Sequence, residues 1–239
     1  MVDFVLVPGA WLGAWAWDEV VPELRAAGHG AHALTLSGLA EKRNVPAGQR
    51  THVRDVVDEV GRLGLRHVVL VGHSYAGIPV AQAAGRIGDR LARMVLIDCP
   101  VPVHGRPGVA SWPDGGRGVE AMIAGYGGSW PPPPRSHYAG QGLTDEQIDR
   151  IMRRSTPHPG ATLTEPAVLT RPLAELPGTY VLCELNAAEP GADVARLLTG
   201  EHWRLVRMGT GHWPMFSRPR ALARTLLDEA GSRPGFRDA

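Results

Sequence analysis

A serine lies where a strand-forming run gives way to a helical pattern. Val68–Val71 is rich in strand-forming residues, Gly72 interrupts the run, and Ser74 precedes a segment of small, helix-compatible residues. This G-x-S-x-A pattern, with Ala76 in the third small position, is typical of a strained strand-to-helix turn that lifts a serine hydroxyl above the sheet. A hydroxyl is a weak nucleophile alone, so the pattern predicts a nucleophilic Ser74 and requires a base elsewhere.

His212 has the placement expected of that base. It follows the last predicted strand in the Gly-rich loop Met208–Pro214, and no other histidine among the ten is placed in this way. The tetrahedral oxyanion formed by attack on a carbonyl needs two backbone donors. We expect them to be the N–H of Tyr75, directly after Ser74, and the N–H of Ala10, in the Pro-Gly turn after the first strand.

The composition fits one globular α/β domain. The chain has 239 residues, 44% hydrophobic and 21% charged, and its net charge of +1 gives no reason to expect a nucleic-acid partner. The apolar run Phe4–Val7 is too short for a signal peptide, no stretch reaches the ~18 apolar residues of a membrane span, and Cys99 and Cys183 make no disulfide framework. We expect a cytoplasmic protein with a small-molecule substrate and no membrane partner; monomer and homodimer both stay open. Nothing in the sequence resembles a metal cluster or a nucleotide-binding loop, so we expect no cofactor and no metal.

Strand-forming runs alternate with helical patterns along most of the chain. This alternation is typical of a mostly parallel central sheet covered by helices on both faces. Thr51 is predicted to be the N-cap of an amphipathic helix. The predicted strands are Phe4–Val7, Ala31–Leu36, His67–Val71, Arg93–Ile97, Thr179–Cys183 and Trp203–Val206. The predicted helices between them are Val20–Ala27, His52–Leu63, Ser74–Ile87, Asp193–Leu198 and Arg218–Ala230.

The alternation fails between the fourth and fifth predicted strands. Proline and glycine are frequent there, and the clearest helix signal begins at Thr144. A long irregular insertion in an otherwise regular domain usually forms a lid or a binding loop. We therefore expect one domain over residues 1–239, in which residues 100–177 form a small cap over Ser74.

A family resemblance rests on segments spread over nearly the whole chain. They are Phe4–Trp15, Gly28-His29, Leu36–Leu39, Gly72–Ser74, Leu96–Pro102, Trp130–Pro134 and Thr179–Cys183. These segments resemble the small α/β-hydrolases that include plant methylesterases and hydroxynitrile lyases, and they are especially similar to bacterial esterase-like members. The resemblance implies an α/β-hydrolase fold, with the cap inserted after the strand that follows the nucleophile helix, and a cofactor-free hydrolase activity.

Two departures from the family pattern bear on the reaction. Hydroxynitrile lyases of this type resemble the esterases except for a lysine after the catalytic histidine and a threonine in the oxyanion turn. This chain has Trp213 and Gly9 at those positions, which argues against cyanohydrin cleavage. Plant methylesterases carry an aspartate a few residues after the strand that matches Thr179–Cys183, and that position is Asn186 here.

Two residues are therefore candidates for the acid that supports His212. An asparagine at position 186 could orient the imidazole but supplies no charge, and the equivalent Asp→Asn change in serine proteases costs roughly 10⁴ in kcat. Asp98 ends the strand after the elbow helix, a position from which haloalkane dehalogenases of the same fold draw their acid. We expect Asp98 to reach His212 across adjacent strand ends, with Asn186 as the alternative.

Several aromatic side chains and a methionine could surround Ser74, which suits a bulky, largely apolar substrate. We expect hydrolysis of a carboxylic ester through an acyl-enzyme, with an aromatic or polyketide-like ester as the specific candidate. A lyase, cyclase or isomerase of secondary metabolism with His212 as general base is the alternative, and a non-catalytic ligand-binding relative is a third reading. The predicted pocket residues are Trp11, Trp112, Met122, Tyr126, Trp130 and Trp213.

Overall fold

A parallel sheet forms the centre of the molecule. The computed structural model describes residues 1–231, apart from the side chains of Ser111 and Pro113. The strands are β1 (Asp3–Val7), β2 (Gly30–Ala33), β3 (Val68–His73), β4 (Leu91–Ile97), β5 (Ser129–Trp130), β6 (His158–Pro159), β7 (Gly178–Cys183) and β8 (Trp203–Met208). Six of them form the parallel sheet in the order β2-β1-β3-β4-β7-β8, whereas β5 and β6 form a separate antiparallel pair.

Helices follow most of the central strands. They are α1 (Val21–Ala26), α2 (Gln49–Arg62), α3 (Gly77–Ile87), α4 (Arg117–Gly125), α5 (Asp145–Arg154), α6 (Ala161–Thr164), α7 (Ala192–Leu198), α8 (Pro214–Ser217) and α9 (Pro219–Gly231). Helix α2 shows why these segments are helical, since Val53, Val56 and Val60 recur at three- and four-residue spacing and are buried. Burial of such a stripe, rather than intrinsic propensity alone, stabilises a helix of this length.

The two faces of the sheet carry separate hydrophobic cores. Side chains alternate along each strand, so Leu70 of β3 belongs to the same core as Val53 of α2 on one face, and Val71 belongs to the same core as Leu226 of α9 on the other. Both faces of β3 are fully covered, which explains its almost continuous run of β-branched residues. The predicted α/β class and mostly parallel sheet are confirmed.

The strand order determines where a ligand can bind. Strand β2 lies on one side of β1 and β3 on the other, so the chain changes direction in the sheet between β1 and β3. In open parallel sheets, ligands bind beyond the carboxyl ends of the strands at such a point. The turn after β1 and the turn that carries Ser74 both lie there, because Val7 pairs with Gly72.

Local contacts shift the ends of several predicted elements. The predicted strand Ala31–Leu36 ends at Ala33, and its continuation leaves the sheet edge where the N–H and hydroxyl of Ser37 donate to the Asp55 carboxylate. The predicted helix Ser74–Ile87 begins with a 3-10 turn, and α3 itself starts at Gly77.

The predicted N-cap at Thr51 is wrong. Helix α2 begins at Gln49, whose N–H donates to the Glu165 carboxylate at 2.7 Å, and Thr51 lies two residues into the helix. The Thr51 hydroxyl instead accepts from the Gly48 N–H at 3.4 Å. The acceptor at this helix start comes from a distant part of the chain, so the local pattern could not reveal it.

The segment between β4 and β7 consists of short helices, the β5–β6 pair and loops, and it packs on the central domain. Arg150 of α5 forms ion pairs with Asp18 and Glu19, at 3.0 and 2.9 Å. The guanidinium of Arg154 lies 4.5 Å from the centre of the Trp15 ring. Helix α5 starts with Thr144 as its N-cap, in agreement with the sequence pattern.

Candidate active site

Ser74 lies on the sharp turn between β3 and α3. Its φ of 54° is in the left-handed region, which residues other than glycine rarely occupy, so the turn is strained. Gly72 permits this turn, since a Cβ there would lie 3.1 Å from the carbonyl group of Ala76. Gly9 permits the close approach of the turn after β1, because its Cβ would lie 2.9 Å from the Ser74 Cβ. These two glycines allow the backbone of both turns to meet beside the serine hydroxyl.

A line of hydrogen bonds joins Ser74, His212 and Asp98. Ser74 Oγ is 2.9 Å from His212 Nε2, and His212 Nδ1 is 2.6 Å from Asp98 Oδ2. The carboxylate accepts from Nδ1–H, so Nε2 is left with a lone pair that can accept the serine proton. The Asp98 side chain is 4% exposed and the His212 side chain 19%, which shields the pair from water and leaves part of the ring accessible.

Asn186 contacts the carboxylate and not the imidazole. Strands β4 and β7 are neighbours, with Ile97 opposite Val181, so the residues that follow them meet at the same sheet edge. Asn186 Nδ2 donates to Asp98 Oδ2 at 2.8 Å. The structure thus brings both candidates for the acid together, with Asp98 next to the ring and Asn186 behind it.

His73 and Gln141 hold the backbone of His212 from two sides. The fully buried His73 ring donates from Nε2 to the His212 carbonyl at 2.7 Å, and Gln141 Oε1 accepts from the His212 N–H at 2.7 Å. Burial, followed by the charge of His212, keeps the pKa of His73 well below its usual range, so this ring stays neutral. Gly211 allows the contact, because any Cβ there would overlap Gln141.

The sequence pattern places His73 near the site without a catalytic role, and it does not show that His73 or Gln141 holds His212. The position of His73 directly before the nucleophile was a signal for it, since a side chain there must lie close to the site. Gln141 lies in the β4–β7 segment, and no local pattern connects it with His212.

Tyr75 is anchored by a buried hydrogen-bond chain. Its hydroxyl donates to His52 Nδ1 at 2.8 Å, and His52 Nε2 donates to the Ser37 carbonyl at 2.7 Å. Burial lowers the pKa of His52 to about 4 and raises the pKa of Tyr75, so both groups are neutral near pH 7. This chain restrains the residue whose N–H is predicted to bind the oxyanion. On the other side of the serine, the Ala10 N–H donates to no acceptor within residues 1–231.

Three of the predicted pocket residues form one aromatic cluster. The rings of Trp11 and Trp130 are 4.1 Å apart, those of Trp112 and Trp130 are 5.2 Å apart, and Trp11 Nε1 donates to the Trp130 carbonyl. Trp11 follows directly on the predicted oxyanion residue Ala10, and its φ of 67° is unusual for so large a residue. We name Trp11, Trp112 and Trp130 the tryptophan cluster.

The other three predicted pocket residues lie elsewhere. Trp213 is buried, with its ring 4.9 Å from that of His212 and 4.7 Å from that of Tyr138. Met122 and Tyr126 of the α4 region are 41% and 65% exposed and therefore lie at the surface, outside the tryptophan cluster. In α4 the buried residue is Ile123, whereas Met122 directly before it is exposed, and the local sequence does not say which of the two packs on the domain.

Neither a metal centre nor a membrane segment stands out in the part of the chain that the structure describes. Within residues 1–231, no group of three or more His, Cys, Asp or Glu side chains is arranged to hold a metal ion. No helix in the same range is both long enough and apolar enough to cross a membrane.

Proteins of similar sequence include named esterases. A carbendazim hydrolyzing esterase from Nocardioides sp. (strain SG-4G) is 30% identical, over 95% of this chain and 98% of its own length. Esterase PIR7B of Oryza sativa subsp. japonica is 39% identical over 43% of this chain and 40% of its own length. These relatives support an esterase activity for this enzyme.

Solved structures and a family model agree with the fold. An extracellular alpha/beta-hydrolase from a Paenibacillus species has a TM-score of 0.83 at 21% identity, covering 97% of this chain and 100% of its own. Polyneuridine aldehyde esterase has a TM-score of 0.73 at 19% identity, covering 95% and 98%. The model of the alpha/beta hydrolase family matches residues 4–225, and the chain belongs to that family.

Proposed function

We propose that the protein hydrolyses a carboxylic ester of a bulky, largely apolar small molecule through an acyl-enzyme on Ser74. The observation that carries this proposal is the continuous hydrogen-bond line from Ser74 Oγ through His212 to Asp98, at 2.9 and 2.6 Å. A serine joined to a histidine whose other nitrogen meets a buried carboxylate has the arrangement needed for nucleophilic acyl transfer.

The proposed reaction uses each group at a stated atom. His212 Nε2 takes the proton as Ser74 Oγ attacks the ester carbonyl, and the imidazolium then gives this proton to the leaving alcohol. Asp98 stabilises the imidazolium, and the N–H groups of Ala10 and Tyr75 bind the oxyanion. Water activated by the same histidine then attacks the acyl-enzyme and releases the acid. The anchoring of Tyr75 by His52 supports this role, because a preorganised donor needs no rearrangement as charge develops.

The tryptophan cluster supports the substrate class. Its flat apolar surfaces begin one residue after Ala10, where they could pack on a large acyl or alcohol group of the ester. The relative from Nocardioides hydrolyses carbendazim, which is consistent with an ester-like small-molecule substrate for this chain. Within this class we propose an aromatic or polyketide-like ester as the substrate.

Residues 100–177 are proposed to act as the cap of this site. The Thr156 N–H donates to the Trp11 carbonyl at 3.0 Å, and the Thr156 hydroxyl accepts from the Ala40 N–H at 3.0 Å. Trp130 adds its ring contact with Trp11. The segment thus meets the turn after β1 through both backbone and side-chain contacts, as a cap that shapes the substrate site would.

The alternative reactions lose their main support. A lyase, cyclase or isomerase with His212 as general base would not need a charge at the expected acid position, where the sequence has Asn186. Asp98 supplies a carboxylate 2.6 Å from His212, so the geometry favours hydrolysis over simple general-base chemistry. A non-catalytic binding protein would have no need for the strained Ser74 turn.

Fluorophosphonate labelling, followed by intact-protein mass spectrometry, tests the nucleophile without knowledge of the natural substrate. We expect stoichiometric labelling of the wild type and of Ser136→Ala, an exposed-serine control, and none of Ser74→Ala. A panel of aryl and alkyl esters then tests the substrate class. Labelling that survives in Ser74→Ala, or a folded wild type that is not labelled, would refute the proposal.

A further inference from the structure

The Asp98 carboxylate has two hydrogen-bond donors on the same oxygen. His212 Nδ1 lies 2.6 Å and Asn186 Nδ2 2.8 Å from Oδ2, and within residues 1–231 no further side chain donates to this carboxylate. Asp98 has a φ of 51°, so its backbone is in a region that favours glycine or asparagine. A buried carboxylate at such a position depends on its few donors for both charge stabilisation and orientation.

The other ionisable groups around Asp98 are neutral. Cys99, Cys183 and Tyr180 lie close to it, and burial together with the Asp98 charge raises the pKa of each. On the far side of His212, burial keeps the pKa of His73 low. None of these groups supplies a second positive charge to the carboxylate, so the neutral amide of Asn186 is its partner besides the imidazole.

His137 is a further titratable group near the His212 imidazole, on the side toward the surface. His137 lies with its ring 5.8 Å from that of Trp213, and burial, followed by the charge of His212, lowers the pKa of His137. A neutral His137 leaves the electrostatics of the Asp98–His212 pair to the residues at the two strand ends.

Backbone contacts, and not the side chain, hold the turn that carries Asn186. The Asn186 N–H donates to the Cys183 carbonyl at 2.9 Å, and the Leu185 N–H donates to the Thr210 carbonyl at 3.0 Å. The second bond ties this turn to the loop that precedes His212. The turn therefore does not need the Asn186 side chain, and replacement of this side chain should leave the turn intact.

We propose that Asn186 is a positioning residue, which holds the Asp98 carboxylate in the orientation that meets His212 Nδ1. This inference rests on the proposed esterase mechanism. It explains why a neutral residue stands at the end of β7, where the related plant methylesterases have an aspartate. With the charge at Asp98, a second carboxylate 2.8 Å away would repel the first, and the two would compete for one proton.

The first test removes the donor. Asn186→Leu keeps the approximate volume and loses the amide, and we expect kcat to fall roughly 10- to 100-fold, as for loss of a hydrogen bond to a charged group. KM should change by less than about threefold, and the rate of fluorophosphonate labelling should fall with kcat. Asn44→Leu, an exposed asparagine outside the site, is the matched control and should resemble the wild type.

The second test removes the donor and keeps the shape. In Asn186→Asp at alkaline pH, an ionised carboxylate has the shape of the amide but cannot donate to Asp98, so kcat should fall at least as far as in Asn186→Leu. A purely structural role for Asn186 would change the melting temperature and leave the kcat of this isosteric variant close to that of the wild type.

Full kcat in Asn186→Leu, an equal loss in Asn44→Leu, or full kcat in Asn186→Asp at alkaline pH would each overturn the inference. Failure of the proposed function looks different, because the wild type itself would then show no Ser74-dependent labelling. Near-ultraviolet circular dichroism of each variant identifies any loss of folding, and the isosteric Asn186→Asp keeps the test available if the leucine variant is unfolded.

Discussion

Replacement of Asp98 by asparagine should abolish most of the activity and spare the fold. Asparagine tolerates the φ of 51° at this position, and it retains an oxygen that can accept from both His212 and Asn186. The Asn186 amide favours the orientation in which the new side chain presents its oxygen, so the Nδ1–H tautomer of His212 can persist. The change then removes chiefly the negative charge.

The size of the loss follows from the distance between the charges. The 2.6 Å contact places the centres of the carboxylate and the imidazolium roughly 4 Å apart, where the attraction is about 4 kcal/mol at an effective dielectric constant near 20. This attraction develops as His212 takes the serine proton, so we expect kcat to fall by roughly 10³. If the amide turns and the wrong tautomer forms, the loss approaches the roughly 10⁴ known for serine proteases. KM should hardly change, because Asp98 is buried behind the ring and away from the substrate.

Steady-state hydrolysis of a p-nitrophenyl ester measures both constants. Asp114→Asn is the matched control, since Asp114 also has a positive φ, 57°, and lies outside the hydrogen-bond line of the site. Circular dichroism and thermal unfolding establish that both variants are folded. A folded Asp98→Asn enzyme that keeps more than a tenth of the wild-type kcat would refute the assignment of Asp98 as the acid.

Two further predictions concern the oxyanion turn and the buried histidines. Gly9→Ala should lower kcat at least about 10²-fold, because the new Cβ would push the turn away from the nucleophile. This Cβ would lie 2.8 Å from His73 Nδ1 and 2.9 Å from the Ser74 Cβ. Gly191→Ala, where a Cβ meets open space, is the control, and equal rates in both variants would contradict this prediction. Acid should destabilise the fold before the carboxylates titrate, because burial lowers the pKa of His52 from 6.5 to about 4 and lowers those of His73 and His158 well below 6.5. These histidines bind protons only in the unfolded chain, so their contribution is complete above about pH 6.5 and is lost as the pH falls toward 4, with a slope of up to about 1.4 kcal/mol per pH unit for each. Urea unfolding across this range checks the slope, which should be shallower in His52→Gln, and a free energy of unfolding that stays constant from about pH 7 to 5 would be inconsistent with neutral buried rings.

Local pattern was sufficient for the α/β class and for the elements next to the predicted nucleophile and base. The break at Gly72 in a strand-forming run, followed by a helical pattern, placed the Ser74 turn between β3 and α3, and the Gly-rich loop before α8 placed His212. These features depend on neighbouring residues, so sequence reasoning can reach them. The ends of elements were less accessible wherever a distant residue caps them, as Glu165 does for α2.

The identity of the residue proposed as the acid beside His212 depended on which strands are neighbours. Asp98 and Asn186 are both polar residues after a strand, and the sequence alone cannot say which of them faces the imidazole. The sheet order places β4 beside β7, and the hydrogen bonds then put Asp98 against His212 and Asn186 behind Asp98. Asp98 and Asn186 therefore belong to one hydrogen-bond network with His212, whereas the sequence presented them as alternatives.

The sequence by itself determined which reactive groups the chain has. Ser74 in its strand-to-helix turn, His212 after the last strand and the apolar aromatic residues can all be recognised from short-range patterns. The tertiary structure alone decided which groups support that chemistry. His73 reaches the His212 carbonyl, Gln141 reaches its N–H from the β4–β7 segment, and Asn186 reaches the carboxylate of Asp98. The physical reason is that such contacts join residues far apart in the chain, and they arise only when sheet order and loop packing bring those residues within hydrogen-bond distance.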